Sequence, residues 1–142
     1  MYSRIMVELE GKIRNQEKSL GEDNPEIAES LGQLAHLNYV CGRYGEAERL
    51  LWRAVTICSK WFGQEHISIA APLIDLGYLM ESQDRWPDAE HVYRLAYAVR
   101  IVNLGGAHRD TLQVARYIVR VMRCQGKPLA ERELERLAKV AV

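Results

Sequence analysis

The side chains best suited to chemistry in this 142-residue chain are three arginines, Arg116, Arg120 and Arg123, spaced four and three apart. On a helix that spacing puts all three on one face, where guanidinium groups can hold carboxylates through paired hydrogen bonds. The other reactive residue types are not arranged for catalysis or for metal. A metal site needs several donors brought together by spacings such as HxxxH or CxxC, and the four histidines and three cysteines form neither. Cys41, Cys58 and Cys124 are odd in number, which argues against a disulfide framework and for a reducing compartment, the cytoplasm by default. With no base and orienting group beside them, they read as small apolar residues rather than nucleophiles. The glycines punctuate turns and build no phosphate loop. The expectation is therefore no enzyme, no cofactor and no metal, with function carried by a surface.

The elements that position the arginines emerge from an internal repeat. Leu20-Gly21, Phe62-Gly63 and Leu104-Gly105 recur at an interval of 42 residues. Gly-Glu-Asp-Asn-Pro-Glu-Ile-Ala at 21–28 returns as Gly-Gln-Glu-His-Ile-Ser-Ile-Ala at 63–70. Leu31, Leu34, Ala35 and Leu37 return as Leu73, Leu76, Gly77 and Leu79, and Tyr44, Ala47 and Glu48 as Trp86, Ala89 and Glu90. We read one repeat domain over 1–142: a half repeat (1–19), two full repeats (20–61 and 62–103) and a divergent third (104–142). Each repeat predicts two helices, because apolar residues recur at three and four within it. The first pair spans about 25–41, capped by Asn24 with Pro25 in its first turn, and a helix starting at Tyr44 after Gly42. The second spans about 68–83 and 86–102, with Pro72 placed to bend its helix. The third spans about 109–125 and 128–140. His66 and His108, one interval apart, read as helix-start residues. Ile5, Leu9 and Ile13 fit the frame of a second helix whose partner would precede it.

The run Leu-Gly-Glu-Asp-Asn-Pro-Glu-Ile-Ala-Glu-Ser-Leu-Gly-Gln-Leu-Ala, followed by Gly42-Arg43-Tyr44-Gly45-Glu46-Ala47-Glu48 and Ala54-Val55-Thr56-Ile57, resembles the tetratricopeptide repeat in its 42-residue, kinesin light chain-like form. The resemblance implies an all-α fold, a right-handed solenoid of antiparallel helix pairs with about seven helices, and small residues at the crossings: Ala35, Gly77 and Val119 on first helices, Ala47, Ala89 and Ala130 on second ones. It further implies that first helices line a concave groove. Kinesin light chain-like repeats commonly carry an Asn-Asn pair that holds a peptide backbone. Here Gly32-Gln33, Ile74-Asp75 and Arg116-Tyr117 stand in those places, so that mode of binding is not carried over.

The repeat interval then names the groove: Gln33, His36 and Tyr39; Ile74, Asp75, Tyr78 and Glu81; Arg116, Tyr117, Arg120 and Arg123. It passes from aromatic and polar to cationic, which suits an acidic peptide with an aromatic or aliphatic anchor. Lys plus Arg and Asp plus Glu are both 19, so no overall charge draws the chain to nucleic acid or membrane. Locally the balance shifts, with 104–142 carrying eight basic and four acidic residues. Nucleic acid is the weaker reading, because the first two repeats are acidic and would repel phosphate. Of the tryptophans, Trp86 is expected in the turn between paired helices and Trp61 over the joint between repeats, leaving Trp52 as the exposed one. The function expected is a non-catalytic adaptor for a protein segment. The alternative is a structural assembly module that self-associates through terminal helices or forms part of a longer array.

Overall fold

The computed structural model describes residues 1–127 together with Arg132 and Arg136. Among them run six α-helices and no strand: α1 (Tyr2–Leu20), α2 (Pro25–Val40), α3 (Tyr44–Phe62), α4 (Ala70–Ser82), α5 (Trp86–Leu104) and α6 (Arg109–Cys124), with a 3-10 turn at Ile67–Ile69 before α4. The helix expected over 128–140, and Ala130 within it, lie outside the described residues. The chain divides into two compact units, one ending at Gln64 and the other beginning at Glu65.

The same residues of the repeat start and stop the helices. Asn24, His66 and His108 occupy one slot, and their side chains accept from the N–H groups of Glu26 (3.0 Å), Ser68 (3.2 Å) and Asp110 (3.1 Å). Each satisfies a backbone donor that the first turn leaves unpaired. Gly21, Gly63 and Gly105 end α1, α3 and α5 at φ 89°, 100° and 83° with ψ near 160°, a region open essentially to glycine alone. That conformation is why the glycine recurs. The turns after α2, α4 and α6 close differently, through Arg43 N–H to Asn38 C=O (2.8 Å), Arg85 N–H to Met80 C=O (2.9 Å) and Lys127 N–H to Met122 C=O (3.1 Å). Their left-handed residues are Gly42, Asp84 and Gly126.

Pro72 sits nearer the start of its helix than the spacing suggests. The 3-10 turn at Ile67–Ile69 delays α4 until Ala70, so the proline falls in the first turn, where its missing N–H breaks no bond.

In the first unit α2 and α3 pack on each other through Ile27, Leu31, Leu34 and Ala35 against Ala47, Leu50, Leu51, Ala54 and Ile57, all buried. Burying each of the larger side chains contributes about 1.5–3 kcal/mol. Helix α1 adds Met6 and Ile13 and is tied down by polar contacts: Ser30 Oγ donates to Gln16 Oε1 (2.9 Å), and Arg53 Nη2 to Glu17 Oε1 (2.6 Å). Ile5, expected in the α1 stripe, is 42% exposed, because the buried face is centred one residue further along, on Met6.

In the second unit α5 lies against both α4 and α6. Gly77 of α4 faces Tyr93 of α5 so closely that a Cβ there would overlap the ring. Glu90, near the start of α5, receives Arg94 Nε (3.0 Å), Gln125 Nε2 (2.8 Å) and Lys127 Nζ (2.6 Å), which fastens the end of α6 to it. Burial pushes the Glu90 carboxyl up, but the hydrogen bonds from Lys127, Arg94 and Gln125 outweigh it and hold the group at about 2.

Candidate functional site

Tyr78 and Glu81 lie one helical turn apart on α4, and Tyr117 and Arg120 lie one turn apart on α6. The two pairs meet. The Tyr78 and Tyr117 rings approach edge to face, their centroids 5.3 Å apart, and Arg120 reaches Glu81 with two hydrogen bonds, Nε to Oε1 at 2.9 Å and Nη2 to Oε2 at 2.6 Å. The Arg120 guanidinium also covers the Tyr117 ring at 4.9 Å and the Tyr78 ring at 6.0 Å.

Tyr93 supports this cluster from within. It is fully buried, its ring lies 5.5 Å from Tyr117 and 6.3 Å from Tyr78, and its hydroxyl donates to Glu81 Oε2 at 2.5 Å. Burial first, and then the Glu81 carboxylate it donates to, push its phenol well above the ordinary range. Burial and a hydrogen bond with Tyr117 push Tyr78 up to about 12. Both phenols are therefore neutral at any physiological pH. The bond to Glu81 likewise raises Arg120 further above its ordinary value. The outcome is a neutral ion pair over three packed rings.

The remaining expected residues fall into three groups. Arg116 and Arg123 are exposed on α6, and among the described residues neither has an acidic partner. Asp75 is exposed on α4, and Gln33, His36 and Tyr39 are exposed on α2 of the first unit, with the Tyr39 ring tilted against Tyr44 at 5.7 Å between centroids. Ile74 is different: at 8% exposure it belongs to the core and has almost no surface to offer a ligand. The position equivalent to Arg116 is thus buried on α4. Trp52 is half-buried, and the exposed tryptophan is Trp61, at 56%.

Sequence reasoning missed Tyr93. The signal was available in the repeat, since Tyr93 stands where the first repeat has Leu51, and Gly77 where it has Ala35. A lost methyl beside a gained ring marks an exchange of volume across one crossing. Among the described residues no group of three or more His, Cys, Asp or Glu could hold a metal ion, and no helix is long and apolar enough to cross a membrane.

The tetratricopeptide repeat pattern matches residues 26–101, more than half of the chain. The chain belongs to the tetratricopeptide repeat family. Solved structures share the fold of this tetratricopeptide repeat protein. A kinesin light chain-type protein from Podosopora anserina with nearly identical TPR-like repeats superposes with a TM-score of 0.82 at 23% identity, over 98% of this chain and 66% of that one. BtubC (BKLC) from P. vanneervenii superposes with a TM-score of 0.83 at 19% identity, over 98% of this chain and 56% of that one. The chain thus spans just under two thirds of the first of these and little more than half of the second. No curated protein matches the sequence. The tetratricopeptide repeat fold is a helical scaffold whose general role is protein–protein interaction.

Proposed function

We propose that this protein is a non-catalytic adaptor that works in the cytoplasm, and that its second unit offers the α4–α6 face to a peptide segment of acidic character. The observation that carries the reading is the state of the arginines: Arg116 and Arg123 stand exposed, with no acidic partner among the described residues, on the helix that also presents Tyr117. Unpaired guanidinium groups beside aromatic surface favour carboxylates flanking an apolar anchor.

The test is binding of acidic peptides to the wild type and to an Arg116→Gln, Arg123→Gln double variant across a salt series. The variant is expected to bind more weakly, with a shallower salt dependence. Equal affinity for both proteins at every salt concentration would sink the proposal. Arg120 is left unchanged in this variant, because altering it would unpair Glu81.

A second reading, self-association, is favoured by the exposed apolar residues Tyr2, Ile5 and Val7 at the start of α1. Light scattering over a concentration range decides it, a constant monomer mass counting against it.

A further inference from the structure

Arg120 is the middle arginine of its stripe and by spacing alone would be the natural receptor for a ligand carboxylate. The structure gives it another occupation. Its Nε and Nη2 are both committed to Glu81, the pairing through which an arginine would otherwise grip a ligand carboxylate in a two-pronged fashion. Glu81 in turn is held from below by the Tyr93 hydroxyl, and its side chain is only 11% exposed. A ligand carboxylate would have to displace a nearly buried one that already accepts three hydrogen bonds. Meanwhile the guanidinium covers Tyr117 and Tyr78, and Tyr78 remains 40% exposed.

We infer that Arg120 is a positioning residue: clamped by Glu81, it fixes Tyr78 and Tyr117 as an aromatic platform for the apolar anchor of the bound segment, while Arg116 and Arg123 select its charge. The inference rests on the reading of the α4–α6 face proposed above. Its chemistry separates two contributions that a stripe of three arginines would merge. A neutral pair has little long-range field, so Arg120 and Glu81 as a unit should contribute to affinity without contributing to salt dependence. A guanidinium that works by forked bonding and ring coverage is not replaced by an ammonium.

The experiment uses two fluorescein-labelled aspartate-rich peptides, one with a single central leucine and one with glycine in its place, and follows anisotropy with the whole chain over a sodium chloride series. Arg116→Gln and Arg123→Gln should each flatten the slope of log Kd against log salt for both peptides. Arg120→Lys, and Arg120→Gln combined with Glu81→Gln so that no carboxylate is left unpaired, should each weaken the leucine peptide about fivefold to tenfold, leave its slope unchanged, and barely affect the glycine peptide. Tyr78→Ala should behave as the Arg120→Gln, Glu81→Gln double variant does, and it carries the test if the helical circular dichroism of the Arg120 variants falls. The inference is overturned if the Arg120→Gln, Glu81→Gln double variant flattens the slope as Arg116→Gln does, if Arg120→Lys restores wild-type affinity, or if Tyr78→Ala weakens both peptides alike. Failure of the wild type to bind either peptide overturns the reading of the face itself, and this inference with it.

Discussion

The two units are written on one 42-residue template and fill the same crossing in opposite ways. The first unit has Ala35 on its first helix and Leu51 on its second, whereas the second unit has Gly77 and Tyr93 in those positions. In the first unit the crossing is aliphatic and has no polar atom to pass outward. In the second, the ring that replaces leucine needs the space of a missing Cβ, and its hydroxyl reaches Glu81 and through it Arg120. The surface chemistry of α4 and α6 is therefore set partly from inside the core. A repeat can change what it presents by changing what it buries.

The sharpest way to break this comparison is Gly77→Ala. It should destabilise the protein by about 3 kcal/mol in urea unfolding, since the new methyl cannot coexist with the Tyr93 ring. The reverse change in the first unit, Ala35→Gly, should cost only about 1 kcal/mol, the ordinary cost of a helical glycine. Adding Tyr93→Leu to Gly77→Ala should recover most of the loss, and a strictly additive double variant would show that the two residues do not exchange volume.

Acid unfolding probes the fastening peculiar to the second unit. Glu90 is held at about 2 against an ordinary 4.5, so its contribution is fully present above pH 4.5 and is lost as pH falls towards 2. Glu90→Gln should flatten the pH dependence of the melting temperature across that window, and an unchanged profile would remove Glu90 from the account.

Thr111 stands where the earlier repeats have Ile27 and Ile69, and its buried hydroxyl has no hydrogen-bond partner among the described residues. Thr111→Val should stabilise by about 1 kcal/mol, because an orphaned buried hydroxyl costs that much or more. The smallest effect is expected at Asp84, a left-handed residue where the other two turns have glycine. Asp84→Gly should stabilise by about 0.5 kcal/mol, the relief of strain being partly offset by a freer unfolded chain. Differential scanning calorimetry would register both.

Much of this architecture is legible in the residues alone. The caps at Asn24, His66 and His108, the glycine stops and the helix pairs all obey local rules repeated at a fixed interval. The short 3-10 turn is not legible in that way, since Ile67 and Ile69 look as helical as the residues of α4, and it puts Pro72 in the first turn of α4. Ile74 was misplaced because periodicity locates the centre of a buried face but not its width, and α4 is covered more widely than α6. The pairing of Arg120 with Glu81 spans 39 residues, three short of the repeat interval. Treating first helices of successive repeats as neighbours would have brought the two together. Their commitment to each other depends on Tyr93, whose role no single-helix pattern displays.

The close approach of Gly77 to Tyr93 also constrains the history of the second repeat. A lineage starting from alanine and leucine at this crossing, as in the first repeat, has two routes to glycine and tyrosine, and they are not equivalent. Tyrosine first would force a ring into a methyl group, whereas glycine first costs only a little helix stability and leaves room behind it. On that route the mild loss comes before the gain. A descendant that already has both can no longer revert at Gly77 alone, so the tyrosine-bearing face, once acquired, is held in place by the residue that made it possible.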